Sequence, residues 1–245
     1  MSDLSGKTTI VVGASRGLGH GIATAFAEAG SRVVAVSRTA APITDPAGNT
    51  VPELADAGDP TVAGSLLDRY RPEVVVLAAG ASPHMRPLQH QTWETFSVNW
   101  QTDVRIAFHW LREALLTPLR PGSRVIVVSS GAAMAGSPLS GGYAGAKATQ
   151  RFITGYAQDE AKRAGLDITF SAVLPRITPV TELGRSAARA YAARDGRSEE
   201  EYLKQMGPLL TPEIAGSAMV ELVRTEAAAV APGYLLTETG LKKLP

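Results

Sequence analysis

The 245-residue sequence contains no cysteine. Disulfides and thiolate-ligated metals are thereby excluded, and a reducing compartment is compatible with the chain. Histidine is scarce. His20, His84, His90 and His109 make up the whole set of four, and they form no HExxH-type pair, which argues against a histidine-built metal site. Charge of either sign is in short supply. The formal net charge is +1, so nothing electrostatic points to nucleic acid or an anionic membrane as partner. Long hydrophobic runs are missing as well. The stretch "VVVLAAGA" at 74–81 falls far below the roughly 20 residues that span a bilayer. The start "MSDLSGKTTIVVGAS" has no basic segment followed by a long apolar one, and reads as the beginning of a fold rather than a signal peptide. The expected location is cytoplasmic, with neither membrane nor nucleic acid as partner.

What is present is a rhythm. Short β-branched runs at 8–14, 31–38, 72–80, 123–130 and 167–175 read as strands buried on both faces. Weaker candidates lie near Val51 and at 232–238. Between them, helical stretches are expected at 19–30, 60–70, 92–117, 143–164 and 212–226. Strand–helix alternation implies right-handed crossovers and a parallel sheet covered on both faces. The length suits one such domain over 1–245. The expectation is a three-layer, doubly wound α/β fold with a seven-stranded parallel sheet, whose ligands sit beyond the carboxyl ends of the strands. One segment breaks the rhythm. Residues 39–52, "TAAPITDPAGNTVP", carry three prolines and no helical period, so the helix expected there is short or absent.

"GASRGLG" at 13–19 follows the first strand and opens the first helix. Glycines there permit a tight turn and close backbone approach to a pyrophosphate, and the helix start offers free N–H groups. NAD binders place an acid at the end of the second strand to hold the ribose 2′-hydroxyl. Here Ser37 and Arg38 occupy that place. Arginine pairs with a 2′-phosphate where an acid would repel it, and Arg16 lies within reach of the same group. NADP(H) is therefore the expected cofactor. Further along, "YAGAK" puts Tyr143 and Lys147 four residues apart, on one helix face. Taken alone, the pair reads equally as two polar residues on an Ala-rich helix or as a catalytic unit.

In order and spacing these pieces resemble the short-chain dehydrogenase/reductase family, over nearly the whole chain. "GASRGLG" resembles its glycine loop, with Gly13, Ser15, Arg16, Gly17, Leu18 and Gly19 at the cofactor. Asp56 and Ala57 stand where the family holds the adenine. "LAAG" at 77–80 resembles a motif that usually reads Asn-Asn-Ala-Gly, with Ala79 and Gly80 beside the cofactor. Asn99 matches the Asn of the central helix, Ser130 precedes Tyr143 by the family's thirteen residues, and "YAGAK" resembles its Tyr-x-x-x-Lys. "TPEIAGSAMVELV" resembles the last helix. Two departures stand out. Ala78 replaces an Asn that braces the sheet, and "LPRITPVT" has Arg176 in place of the usual Gly between Pro175 and Thr178, in the loop that passes the nicotinamide.

The resemblance implies a Rossmann-type oxidoreductase moving hydride between NADP(H) and a small-molecule carbonyl or alcohol, as a carbonyl reductase or alcohol dehydrogenase. Tyr143 would be its acid/base, Ser130 would hydrogen-bond the substrate oxygen, Lys147 would support Tyr143 and hold the nicotinamide ribose, and Asn99 would anchor a water linking Lys147 to solvent. Two other readings stay open: an NADP(H)-binding regulator without turnover, which would be expected to lose Tyr143 or Lys147, and an epimerase or lyase on the same fold. Residues 181–210 are the expected substrate lid. Tyr191, Tyr202 and Met206 within it, and Met85, Met134 and Leu139 elsewhere, are candidates for an apolar pocket wall. Helices 92–117 and 143–164 are the expected surfaces of a homodimer or homotetramer.

Overall fold

The computed structural model describes residues 4–40, 43, 45 and 48–244. The first half runs β1 (Thr8–Val12), α1 (Gly17–Glu28), β2 (Arg32–Ser37), β3 (Thr50–Leu54), α2 (Val62–Tyr70) and β4 (Val74–Leu77). There follow α3 (Trp93–Asn99), a π-helical turn (Trp100–Val104), α4 (Arg105–Leu116), β5 (Ser123–Val128), the single turn α5 (Ala132–Ala135) and α6 (Tyr143–Arg163). The chain closes with β6 (Ile168–Pro175), α7 (Glu182–Arg194), α8 (Glu199–Met206), α9 (Pro212–Arg224), β7 (Gly233–Thr237) and β8 (Gly240–Lys243).

All eight strands form one sheet in the order β3-β2-β1-β4-β5-β6-β7-β8. Successive side chains of a strand face opposite ways, and that splits the core in two. Val11, Val33 and Val76 join Ile22 and Phe26 of α1 and Met219 of α9 on one face. Ile10, Val12, Val34 and Val75 join Leu67 of α2, Trp110 of α4 and Ala157 of α6 on the other. Both sides of each central strand are apolar because both are covered, which is why these segments read as unbroken hydrophobic runs. The direction of winding reverses between β1 and β4, paired from Thr9↔Val74 to Val12↔Leu77, and there the loops after the two strands separate and leave a cleft.

Three expectations require correction or qualification. The sheet has eight strands, of which the first seven in spatial order are parallel and β8 runs antiparallel to β7. "GLKK" is short and half charged, so it lacks a strand's apolar signature; Gly240, at φ +99°, makes the reversal possible, and the exposed lysines blunt the new edge. The helix expected over 92–117 is interrupted by the π turn. No helix occurs among the described residues between β2 and β3, although Ala41, Pro42, Thr44, Pro46 and Ala47 of the proline-rich segment lie outside them. Residues 181–210 contain α7 and α8, each started by a hydroxyl cap, Thr181 and Ser198.

Candidate active site

The cleft is a cavity of about 730 Å³. One end is built from the glycine loop. Gly13 has φ +90°, and a Cβ there would stand 2.6 Å from the Ala79 amide nitrogen. A Cβ on Gly19 would stand 2.1 Å from the Gly13 carbonyl oxygen. Only glycine lets β1, the start of α1 and the end of β4 approach so closely. Helix α1 begins at Gly17 with no side-chain cap and no acid in its first turn, in contrast to α7, α8 and α9, which Thr181, Ser198 and Thr211 cap. Its first N–H groups and positive dipole end suit an anionic group. The residues present thus fit a pyrophosphate at this end.

Ser15, Arg16, Leu18, Ser37, Arg38, Asp56, Ala57, Ala79, Gly80, Pro175, Arg176 and Thr178 all line the same cavity. Several have protein partners that the sequence could not reveal. Arg16 pairs with Glu182 of α7 at 2.7 Å, and Arg176 lies 3.6 Å from Glu238. Asp56 accepts the Gly58 N–H at 2.9 Å, and Trp110 donates to the Ala57 carbonyl at 3.2 Å. Arg38, at the tip of β2, is exposed and has no ion-pair partner among the described residues.

The other end gathers Ser130, Tyr143 and Lys147 around the same space. Ser130 follows β5, and its Oγ accepts the Ala132 N–H at 3.2 Å. Tyr143 and Lys147 stand one turn apart at the head of α6, with the Lys147 Nζ 5.6 Å from the centre of the Tyr143 ring. Lys147 is buried, and its ammonium lies 3.1 Å from Asp103 Oδ2, donates to Gln150 Oε1 at 2.9 Å and reaches the Val128 carbonyl at 3.4 Å. Burial acts to lower the Lys147 pKa, but attraction to Asp103 and Tyr143 and the hydrogen bond to Asp103 hold it above the ordinary lysine value.

Asp103 is the residue sequence reading missed. It sits in the π turn and is completely buried. Its Oδ1 accepts the Ala81 N–H at 2.8 Å, and both its oxygens lie 3.3 Å from Asn99 Nδ2. Asn99 also donates to the Ala81 carbonyl at 2.7 Å, and its own Oδ1 is buried with no partner among the described residues. Asn99 is not among the residues that line the cavity; it meets Lys147 through the Asp103 carboxylate, which both of them contact. The sequence offered only the spacing of four between Asn99 and Asp103, with nothing to link either to Lys147.

The outer wall carries Met85, Met134, Ile177, Leu183, Tyr191 and Tyr202, whereas Leu139 and Met206, expected there from the sequence, lie outside the lining, Leu139 being buried. The Tyr191 hydroxyl and Ser137 Oγ lie 2.5 Å apart, so α7 is tied to the segment after β5. Burial, with Asp195 and Tyr191 adding to it, raises the Tyr202 pKa above the ordinary tyrosine value, so its hydroxyl stays protonated at neutral pH.

Sheet order, cleft position and glycine loop make this a doubly wound α/β protein of the dinucleotide-binding kind. The family model described as short chain dehydrogenase matches residues 7–192, and the chain belongs to that family of oxidoreductases, which bind a nicotinamide cofactor. A hydroxynaphthalene reductase-like protein of Metarhizium majus is 31% identical over 189 residues, covering 70% of this chain and 68% of the relative. Versicolorin reductase of Emericella nidulans is 30% identical over 226 residues, covering 85% and 83%. A short chain dehydrogenase from Mycobacterium avium, 21% identical, superposes with a TM-score of 0.77 over 100% of this chain and 86% of its own, a likeness of fold.

Proposed function

We propose that the protein is an NADPH-dependent carbonyl reductase acting on bicyclic or larger hydroxyaromatic ketones. The observation that carries this reading is that Ser130, Tyr143 and Lys147, delivered by two separate parts of the chain, line one cavity with the glycine loop. When bound, the cofactor supplies hydride to the carbonyl carbon. The chain's own residues do the rest. Ser130 donates to the carbonyl oxygen as negative charge develops there, and Tyr143 passes its hydroxyl proton to the same oxygen. Lys147 places a positive charge beside the Tyr143 ring, where it stabilises the negative charge that develops as the proton moves to the substrate oxygen.

The preference for NADP(H) is supported by Ser37 and Arg38 at the tip of β2, where an acid would discriminate for NAD. Arg38 is the better placed arginine for a 2′-phosphate, because Glu182 engages Arg16. The substrate class is supported by the Met and Tyr side chains of the outer wall, and by relatives named for the reduction of hydroxynaphthalene and versicolorin. Residues 181–210 act as the lid over this half, and the protein works as a homo-oligomer through α4 and α6.

The test is turnover of a panel of monocyclic, bicyclic and tricyclic phenolic ketones with NADPH, followed by cofactor absorbance, in the wild type and in Tyr143→Phe. The wild type is expected to prefer the larger aromatic ketones. Tyr143→Phe is expected to lose about 10²-fold or more in kcat, within the range for a positioned acid. Full activity in Tyr143→Phe would overturn the mechanism, and NADPH binding without turnover of any carbonyl would indicate a silent binder.

A further inference from the structure

The buried Asp103 has no place in the chemistry above, yet its carboxylate binds Lys147, Asn99 and the Ala81 amide at once. We propose that Asp103 is a positioning residue of the active site, whose carboxylate is the buried counter-ion that fixes the Lys147 ammonium against α6. This rests on the catalytic reading of Lys147 only for its consequence in turnover; the charge state itself can be read without activity.

Three observations support it. First, the pair is buried on both sides, with side-chain exposures of 7% for Lys147 and 0% for Asp103. A buried ammonium without a partner loses its proton readily, since desolvation disfavours the charged form. Second, the carboxylate is itself held in place from two directions, by the Ala81 N–H and by Asn99 Nδ2. The room for it depends on glycine: a Cβ on Gly80 would stand 2.7 Å from Asp103 Oδ2. Third, Asp103 reaches this point from the π turn, where the local change of helical pitch rotates the residue into the site.

No other charge among the described residues takes its place. From α6 itself come Tyr143 and the neutral Gln150, and β5 offers only the Val128 carbonyl. Of the other charged residues lining the cavity, Arg16 and Glu182 pair with each other, Arg176 lies toward Glu238, Asp56 is bound to the Gly58 amide and Arg38 is at the exposed tip of β2. Attraction to Asp103 is the largest influence opposing burial at Lys147.

The sign follows. With the carboxylate present, Lys147 is charged through the neutral and mildly alkaline range. With a neutral side chain at 103, burial prevails and the proton leaves at lower pH. The chain has six lysines, Lys7, Lys147, Lys162, Lys204, Lys242 and Lys243, so protein labelled with carbon-13 at lysine Cε gives a spectrum simple enough to titrate by NMR. Loss of one signal in Lys147→Gln assigns it. In the intact wild-type chain the Lys147 signal is expected to keep its charged position until above the range in which an ordinary lysine titrates, and in Asp103→Asn its midpoint is expected at least about one pH unit below wild type. Equal midpoints in the two proteins would overturn the proposal.

Asp103→Asn leaves an ammonium buried alone, which works against folding. If that variant does not fold stably enough to titrate, the double variant Asp103→Asn/Lys147→Gln is compared with it in chemical denaturation. The double variant is expected to be the more stable of the two, and equal or lower stability would sink the coupling. In turnover, Asp103→Asn is expected to lose kcat more at pH 9 than at pH 6, by about 10-fold or more, where a merely structural loss would be the same at both. A wild type that reduces no ketone would defeat the proposed function and leave the NMR midpoints to decide this inference independently.

Discussion

Arg38 illustrates what a single side chain can settle. It projects from the tip of β2, lines the cavity and has no ion-pair partner among the described residues. A guanidinium bonded to a phosphate contributes about 1.5–3 kcal/mol through charge-assisted hydrogen bonds. Arg38→Ala is therefore expected to lower kcat/KM with NADPH by about 10- to 100-fold, and to change the value with NADH by less than about 3-fold. Equal losses with the two cofactors would show that Arg38 supports the loop rather than reading a phosphate. At this scale the convergence of residues placed by their position along the chain was legible: the loop glycines, Arg38, Ser130, Tyr143 and Lys147 all line one cavity, although Asn99, placed in the same way, does not. It was illegible where the role depends on a partner distant in sequence. Asp103 meets Lys147 far along the chain, on another helix, and Arg16 meets Glu182 across 166 positions. Neither pairing leaves a mark on local pattern.

Among elements, α1 and α9 approach one another closely. A Cβ on Gly21 would stand 2.4 Å from the Pro212 carbonyl oxygen, and one on Gly216 would stand 2.5 Å from the Gly21 carbonyl oxygen. The obstacle is backbone in both cases, so no rotamer change can relieve it, and the first helix, which carries the glycine loop, would have to shift. Gly216→Ala is expected to destabilise the protein by about 1–3 kcal/mol in chemical denaturation, as overpacking does. Gly64→Ala in α2 provides the contrast. The new methyl meets only the flexible tip of Glu113, at 3.2 Å, and replacing a helix-interior glycine by alanine is expected to stabilise by about 0.5–1 kcal/mol. The same substitution with opposite signs separates packing from helix propensity. The strands were readable because being covered on both faces makes them uniformly apolar. The π turn was not, because the period of apolar residues in 92–117 stays close to helical while the backbone pitch changes locally. Nor was β8, whose pairing with β7 is set by Gly240 and not by hydrophobicity.

For the molecule as a whole, the exposed aromatic side chains stand out. No helix among the described residues is long and apolar enough to cross a membrane, yet Trp93, Phe108, Phe152 and Tyr156 are between 53% and 71% exposed. Phe108 belongs to α4, while Phe152 and Tyr156 share one face of α6, the helix against which α4 packs. Large exposed apolar side chains, where they gather on packed neighbouring helices, mark association surfaces. Covering the exposed parts of these side chains on two copies removes on the order of 1,000 Å² from water, the lower bound for a specific interface. A second copy of the same chain is the occupant we propose, related by a two-fold axis so that α6 meets its own equivalent. The consequence reaches the active site, since Tyr143 and Lys147 are carried by that helix. Phe152→Glu places a charge in the middle of the apolar surface and, facing solvent in a monomer, should leave the fold intact. By light scattering the wild type is expected to have at least twice the chain mass at micromolar concentration, and Phe152→Glu to approach the monomer mass with a lower melting temperature. If the wild type scatters as a monomer at every concentration, the aromatic face has another purpose and the site is complete within one chain.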